Sequence, residues 1–189
     1  MINLNPMKLK LCLLIPILLI FGTACQSDYQ DQSHTVQVAN RYQVSLPSFL
    51  KKTDKLNDEA SLQYMSAFRE FYCLVIDEPK DSFDDALSYY DLNDQYSNNF
   101  DAYIEILSSS TLENVFLQGK TPLQADTINS LPVFLVEVDT YIDDLAVYYY
   151  GAIIEGKDHY YQLYTWTLAN RKSKYKEQMK DIVFSFTEI

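Results

Sequence analysis

Residues 147–186 read VYYYGAIIEGKDHYYQLYTWTLANRKSKYKEQMKDIVFSF, and this stretch decides the fold. Tyr148, Tyr149, Tyr150, Ile153 and Ile154 are aromatic or β-branched, the types that suit a pleated surface. Glu155-Gly156-Lys157-Asp158 interrupts the run, with Gly156 expected at positive φ in a tight turn. Residues 160–167 make the return strand. Neighbours in a strand face opposite ways, so Tyr160, Tyr164 and Trp166 share one face and Tyr161 and Leu163 the other. Bulky groups on both faces predict a sheet covered on both sides, because a single wet face would alternate more cleanly. A helix follows from about Asn170, a good N-cap type. Tyr175, Met179, Ile182, Val183 and Phe186 recur at spacings of three and four and form one apolar stripe. Lys172, Lys176 and Lys180 form a basic stripe beside it. Arg171 and Lys172 fall in the first turn, where the helix dipole disfavours cations.

Upstream, Tyr42, Val44 and Leu46 alternate in a strand that Pro47 ends. Residues 62–67 and 70–77 predict a second hairpin, with 71–76 as its buried strand. Ser82 with Asp85 three later forms a capping pair ahead of Phe83, Ala86, Leu87 and Tyr90, which predicts a short helix. After a polar loop over 91–99, Phe100, Tyr103, Ile104 and Leu107 mark a second helix, which three serines at 108–110 fray or break. Strands follow at 121–128 and 133–138, with turns at 129–132 and at Asp143-Asp144. This order predicts an α+β fold: an α/β/α sandwich with a central, mostly antiparallel sheet flanked by helices.

Four segments carry a resemblance to a known group. They are Tyr42-Gln43-Val44-Ser45-Leu46-Pro47, Thr127-Ile128-Asn129-Ser130-Leu131-Pro132, Tyr160-Tyr161-Gln162-Leu163-Tyr164-Thr165-Trp166-Thr167 and Ile182-Val183-Phe184-Ser185-Phe186. On these segments, residues 41–189 resemble the PsbP-like superfamily, which includes the extrinsic photosystem II protein and a Ran-binding nuclear-import factor. The resemblance implies an α/β/α sandwich and non-catalytic roles: assembly, scaffolding and, in some bacterial members, chaperoning of hydrophobic segments. The shared segments are structural, and no site residues transfer with them.

The start of the chain speaks to location. Lys8 and Lys10 precede eleven apolar residues at 11–21, then Gly22-Thr23-Ala24 and Cys25. This is the anatomy of a secretory signal, too short for a permanent span. Small residues directly before a cysteine resemble a bacterial lipoprotein signal, although Gly22 stands where leucine is commonest. The resemblance implies removal of 1–24, acylation of Cys25 and attachment to a membrane through more than one acyl chain. Gln26, rather than an aspartate, after the cysteine implies passage to the outer membrane. Residues 26–40 are polar and predict a flexible tether to a domain at 41–189.

Loss of 1–24 moves the net charge from −11 to −13, which argues against binding to a phosphate backbone. Cys12 leaves with the signal and Cys25 is acylated, so Cys73 stands alone and no intrachain disulfide forms. Gly119, Gly151 and Gly156 make no phosphate loop, and His34 and His159 are too far apart in sequence for a zinc-binding helix pair. The pairs Asp77-Glu78, Asp84-Asp85 and Asp143-Asp144 read as solvated acids at element ends rather than a calcium site. No catalytic residue, metal or cofactor is expected. The sequence therefore predicts a non-enzymatic envelope lipoprotein, a membrane-tethered protein-binding or assembly module. Lys172, Lys176 and Lys180 are its candidate docking face for an acidic partner. One alternative is a carrier or chaperone for a hydrophobic segment or small ligand. Another is a small thiol hydrolase using Cys73 with His159.

Overall fold

The computed structural model describes residues 32–110, 123–142 and 144–189. The elements run β1 (Ser33–Val38), β2 (Tyr42–Pro47), β3 (Lys51–Lys52), β4 (Leu62–Ser66), β5 (Phe71–Pro79), α1 (Lys80–Tyr89) and α2 (Phe100–Ser110). They continue with β6 (Gln124–Ile128), β7 (Leu131–Ile142), β8 (Leu145–Glu155), β9 (His159–Leu168), a 3₁₀ turn (Ala169–Arg171), α3 (Lys172–Phe184) and β10 (Thr187–Glu188). Seven strands form one sheet in the order β3-β4-β5-β9-β8-β7-β6, and every described pair in it is antiparallel. The closing hairpin lies near its centre: β9 pairs with β8 on one side and with β5 on the other.

Both faces of this sheet are covered, as the two-faced aromatic pattern predicts. Tyr161 and Leu163 point into a core with Phe71, Cys73 and Val75, closed by Tyr175, Met179, Ile182 and Val183 of α3 and by Tyr42, Val44 and Leu46 of β2. Tyr160 points the other way, into a second core with Val136, Val138 and Ile153, closed by Phe83 and Leu87 of α1 and Phe100, Tyr103, Ile104 and Leu107 of α2. The fold is thus the expected α+β sandwich, with helices on both sides of a mostly antiparallel sheet.

Several local expectations are corrected. The tether expected over 26–40 is strand from Ser33 to Val38, paired with β2 from Ser33↔Pro47 to Val38↔Tyr42. The missed signal is the period-two alternation of Val36 and Val38, which pack against the core while Thr35 and Gln37 face water. The rest of that span, residues 26–31, lies outside the described residues. β2 has a second neighbour, β10, so a three-stranded sheet β1-β2-β10 packs over the main one. Gly156 does not take positive φ. It is buried where a Cβ would meet the Glu188 carboxylate and a Tyr161 ring carbon 2.5 Å away, so close approach explains the glycine. Two consecutive residues at positive φ occur instead at Asn129-Ser130, between β6 and β7, which suits a two-residue hairpin.

The helix ends also differ. Ser82 lies inside α1 and makes no cap; the helix begins after Pro79, which presets the backbone entry. The three serines at 108–110 continue α2 rather than break it. Asn170 sits in the 3₁₀ turn, and α3 starts at Lys172 with no side-chain cap. Among the described residues, no helix is long and apolar enough to cross a membrane.

Candidate functional site

The sheet face under α1 and α2 opens into a cleft of about 290 Å³. Its apolar wall comes from Phe83 and Leu87 of α1, from Tyr90 just after it, and from Ile106 and Leu107 of α2. Phe83 and Leu87 are i, i+4 neighbours, and Tyr90 continues their spacing by three, as a 3.6-residue period requires of one face. Its polar floor comes from three elements. Gln162 of β9 donates from Nε2 to the Tyr103 hydroxyl of α2 at 2.8 Å. Tyr103 in turn hydrogen-bonds the Glu78 carboxyl at the end of β5. Burial raises Glu78 above the ordinary carboxylate range; the Tyr103 bond opposes this and the nearby Glu59 charge adds to it. Burial also raises the Tyr103 phenol, and the Glu78 charge adds to the rise. An apolar wall with a few convergent polar groups is the general form of a recognition pocket.

The helical segment that supplies the apolar wall has a single sign. Asp81, Asp84, Asp85, Asp91, Asp94, Asp101 and Glu105 fall between residues 81 and 110, and no lysine or arginine does. All seven are exposed, and Tyr89 and Tyr90 stand exposed beside them in edge-to-face contact. A field of one charge over an apolar cleft attracts a partner of the opposite charge.

A second hollow, about 410 Å³, opens among Asn40, Arg41, Lys157, His159 and Glu188. It is larger, but Glu188 and Arg41 in it are committed to contacts within the chain. Glu188 accepts from the Tyr161 hydroxyl at 2.9 Å and from the Lys157 backbone, and Arg41 pairs with Asp77. The smaller cleft has the apolar wall that this hollow lacks, and on that ground it is the better candidate.

The lysine stripe is placed as the periodicity predicts, but its charge is largely engaged within the chain. Lys172 Nζ lies 2.7 Å from Asp139 and 3.8 Å from Glu137, and 4.3 Å over the Tyr148 ring. Lys176 Nζ lies 2.5 Å from Glu137, and Lys180 lies 3.4 Å from Glu177 one turn earlier. Partial burial pushes Glu137 up, yet the hydrogen bond and charge of Lys176 and the charge of Lys172 outweigh it and hold the carboxyl below its ordinary range. Glu137 and Asp139 alternate on β7, and this i, i+2 acid pair inside an apolar strand is the signal that could have foretold the pairing.

Cys25 and Asp143 lie outside the described residues. Cys73 is 0% exposed, and burial pushes its thiol up to about 12. Its cross-strand partner is Thr165, whereas His159 pairs with Pro79, six residues further along β5. At ~3.3 Å per residue that separates the cysteine and the imidazole by roughly 20 Å. The two make no thiol–imidazole pair. A thiol with a raised pKa carries little thiolate at neutral pH, so the folded chain will not react with iodoacetamide at Cys73 until denaturant is added. Mass spectrometry of alkylated peptides checks this, and fast labelling of the folded chain would restore the thiol reading. Of the acid pairs, Asp77 is committed to Arg41, Glu78 to the cleft, and Asp84-Asp85 to solvent. Among the described residues, no three His, Cys, Asp or Glu side chains are grouped to hold a metal ion.

No protein-family model matches the chain. No curated protein matches it either. Solved structures do match. Cyanobacterial PsbP from Synechocystis sp. PCC 6803 superposes with a TM-score of 0.58 at 10% identity, over 88% of this chain and 98% of that one. LpqN of Mycobacterium tuberculosis, described as involved in cell envelope biogenesis, gives 0.54 at 10% identity over 83% and 90%. The Ran-binding protein Mog1p of Saccharomyces cerevisiae gives 0.47 at 12% identity over 82% and 95%. At such identities the likeness is one of fold, and the chain has a PsbP-like α+β fold.

Proposed function

We propose that this protein is a non-catalytic envelope lipoprotein, anchored through Cys25, whose PsbP-like domain binds a partner protein at the α1–α2 cleft. The observation that carries the reading is an apolar cleft lined by Glu59 and Glu78 and walled by a helical segment, residues 81–110, with seven exposed acids and no lysine or arginine. Such a site fits a basic segment that offers an apolar side chain to the wall of Phe83, Leu87 and Ile106. The signal anatomy of residues 7–25 supports the anchor, with the outer membrane as destination on account of Gln26. LpqN, a protein of the same fold, is described as acting in cell envelope biogenesis, the compartment such an anchor implies. A carrier of a hydrophobic segment or small ligand is the second reading, favoured by the neutralising tendency of Glu78 within an apolar cleft.

The test is site-specific photo-crosslinking in cells, with the probe at Ile106 in the cleft and, as control, at Glu177, exposed on α3 across the sheet. One envelope protein should crosslink at Ile106 and not at Glu177. The product should be lost when Glu59→Lys in the lining and Asp91→Lys just after α1 put positive charge beside the cleft. Its retention in that double variant sinks the acidic-cleft reading. A crosslink to lipid or a small molecule selects the carrier.

A further inference from the structure

The register of the large sheet places four exposed apolar side chains at one end. Phe71, Thr167, Tyr148 and Asp139 lie in one row across β5, β9, β8 and β7. Beyond that row the chain turns at 67–70, at Ala169–Arg171 and at the tip between β7 and β8. Phe68 on the first turn is 91% exposed. Tyr141, Ile142 and Leu145 on the hairpin tip are 58%, 41% and 59% exposed. Half of the large hydrophobic side chains found exposed among the described residues thus belong to one end, and neither cleft uses them.

The described chain enters at the same end. Gln32 accepts a hydrogen bond from the Ser48 backbone at 2.7 Å. The next residue, Phe49, packs edge-on against Phe71 with ring centres 5.6 Å apart, and Arg69 lies 4.0 Å over its face. Arg171 donates to the Phe68 carbonyl at 3.2 Å and braces the turn that presents Phe68. Cations therefore flank the apolar groups here, whereas residues 81–110 of the helical layer carry only acids. The acids beside this end are mostly engaged: Glu70 accepts from the Tyr72 hydroxyl and Asp139 from Lys172, leaving Asp144 exposed at the tip.

Covalent geometry makes the coincidence informative. Cys25 precedes Gln32 by seven residues, so an acyl group on Cys25 stays within ~25 Å of Gln32 whatever path the chain takes. The end that carries the entry point is the end a bilayer can reach. We infer that this end rests on the lipid surface, with Phe68, Tyr141, Ile142 and Leu145 entering the boundary between headgroups and acyl chains and Arg171 meeting lipid phosphate. Aromatic and aliphatic side chains flanked by arginine are what that boundary favours. Contact would also orient the domain and fix which way the cleft faces. The inference rests on the lipoprotein reading, and its test separates the two.

Full-length protein, made in a bacterial host and purified from membranes, is reconstituted into vesicles containing brominated lipids. Trp166, stacked between Tyr72 and Tyr149, is first replaced as Trp166→Phe to remove the native emission. Single reporters are then placed as Phe68→Trp, Leu145→Trp and, at the far end, Lys157→Trp. Bromine should quench the reporters at 68 and 145 and leave the one at 157 bright. Mass spectrometry of the same preparation reads the acylation of Cys25. An acylated chain with no quenching at 68 and 145, or with equal quenching at 157, overturns the docking while the anchor stands. A chain without acyl groups that stays off the vesicles overturns both. Amide exchange of the unaltered lipoprotein reads the same contact without the Trp166 change. Exchange at Phe68 and Leu145 should be slower on vesicles than in the soluble Cys25→Ser chain, and equal rates count against the docking.

Discussion

Phe186→Ala will destabilise the domain by about 4 kcal/mol, the cost of emptying a fully buried aromatic site. Phe186 is 0% exposed although it lies beyond the end of α3. Its ring stacks on Tyr42 with centres 5.3 Å apart and meets Tyr161 at 5.0 Å. It therefore joins the small sheet, through β2, to the central strand β9. The backbone is fixed there as well, since Asn129 donates from Nδ2 to the Phe186 carbonyl at 2.7 Å. Neighbouring strands hold the cavity open, so little of the loss is recovered by collapse. Phe184→Ala, two residues earlier and 41% exposed, should cost about 1 kcal/mol or less. Urea denaturation of the two variants separates these values if the slope with denaturant is unchanged. Equal losses would mean that the last turn is not the seam between the sheets.

Much of the fold was legible because its signals are local and repeated. The aromatic alternation of β9 has period two on both faces, and only a doubly covered sheet satisfies it. The stripe Tyr175, Met179, Ile182 and Val183 needs nothing beyond helical spacing. What escaped depends on partners distant in sequence. β10 is two residues long and exists because β2 offers it an edge. β1 is an edge strand with two half-buried valines, and its polar neighbours read as tether. The cleft escaped for the same reason: Glu78, Tyr103 and Gln162 come from three elements, and none is distinctive alone. The lysine stripe was visible on its helix, while Glu137 and Asp139, which occupy two of its charges, lie on a strand more than thirty residues earlier. Periodicity shows which way a side chain points, but not what it meets.

Arg41→Met should cost about 3 kcal/mol, the lower part of the range for breaking a buried ion pair. Asp77 on β5 has a side chain 2% exposed, and Arg41, just before β2, is its salt-bridge partner. Without the guanidinium, a carboxylate remains in a nearly dry site with its desolvation uncompensated. Arg41 itself is 37% exposed, so water can reach the vacated space and hold the loss to the low end. The pair is nonetheless not expected to be a large net source of stability, because taking both charges out of water offsets most of their attraction. Adding Asp77→Leu to Arg41→Met should therefore restore most of what the single change removed. A double-variant cycle by urea denaturation measures the coupling. If the double variant is no better than the single one, Arg41 stabilises through something other than Asp77. Its backbone carbonyl, which accepts from the Ile189 amide at 3.0 Å and closes β10 onto the turn before β2, would then be the contact to examine.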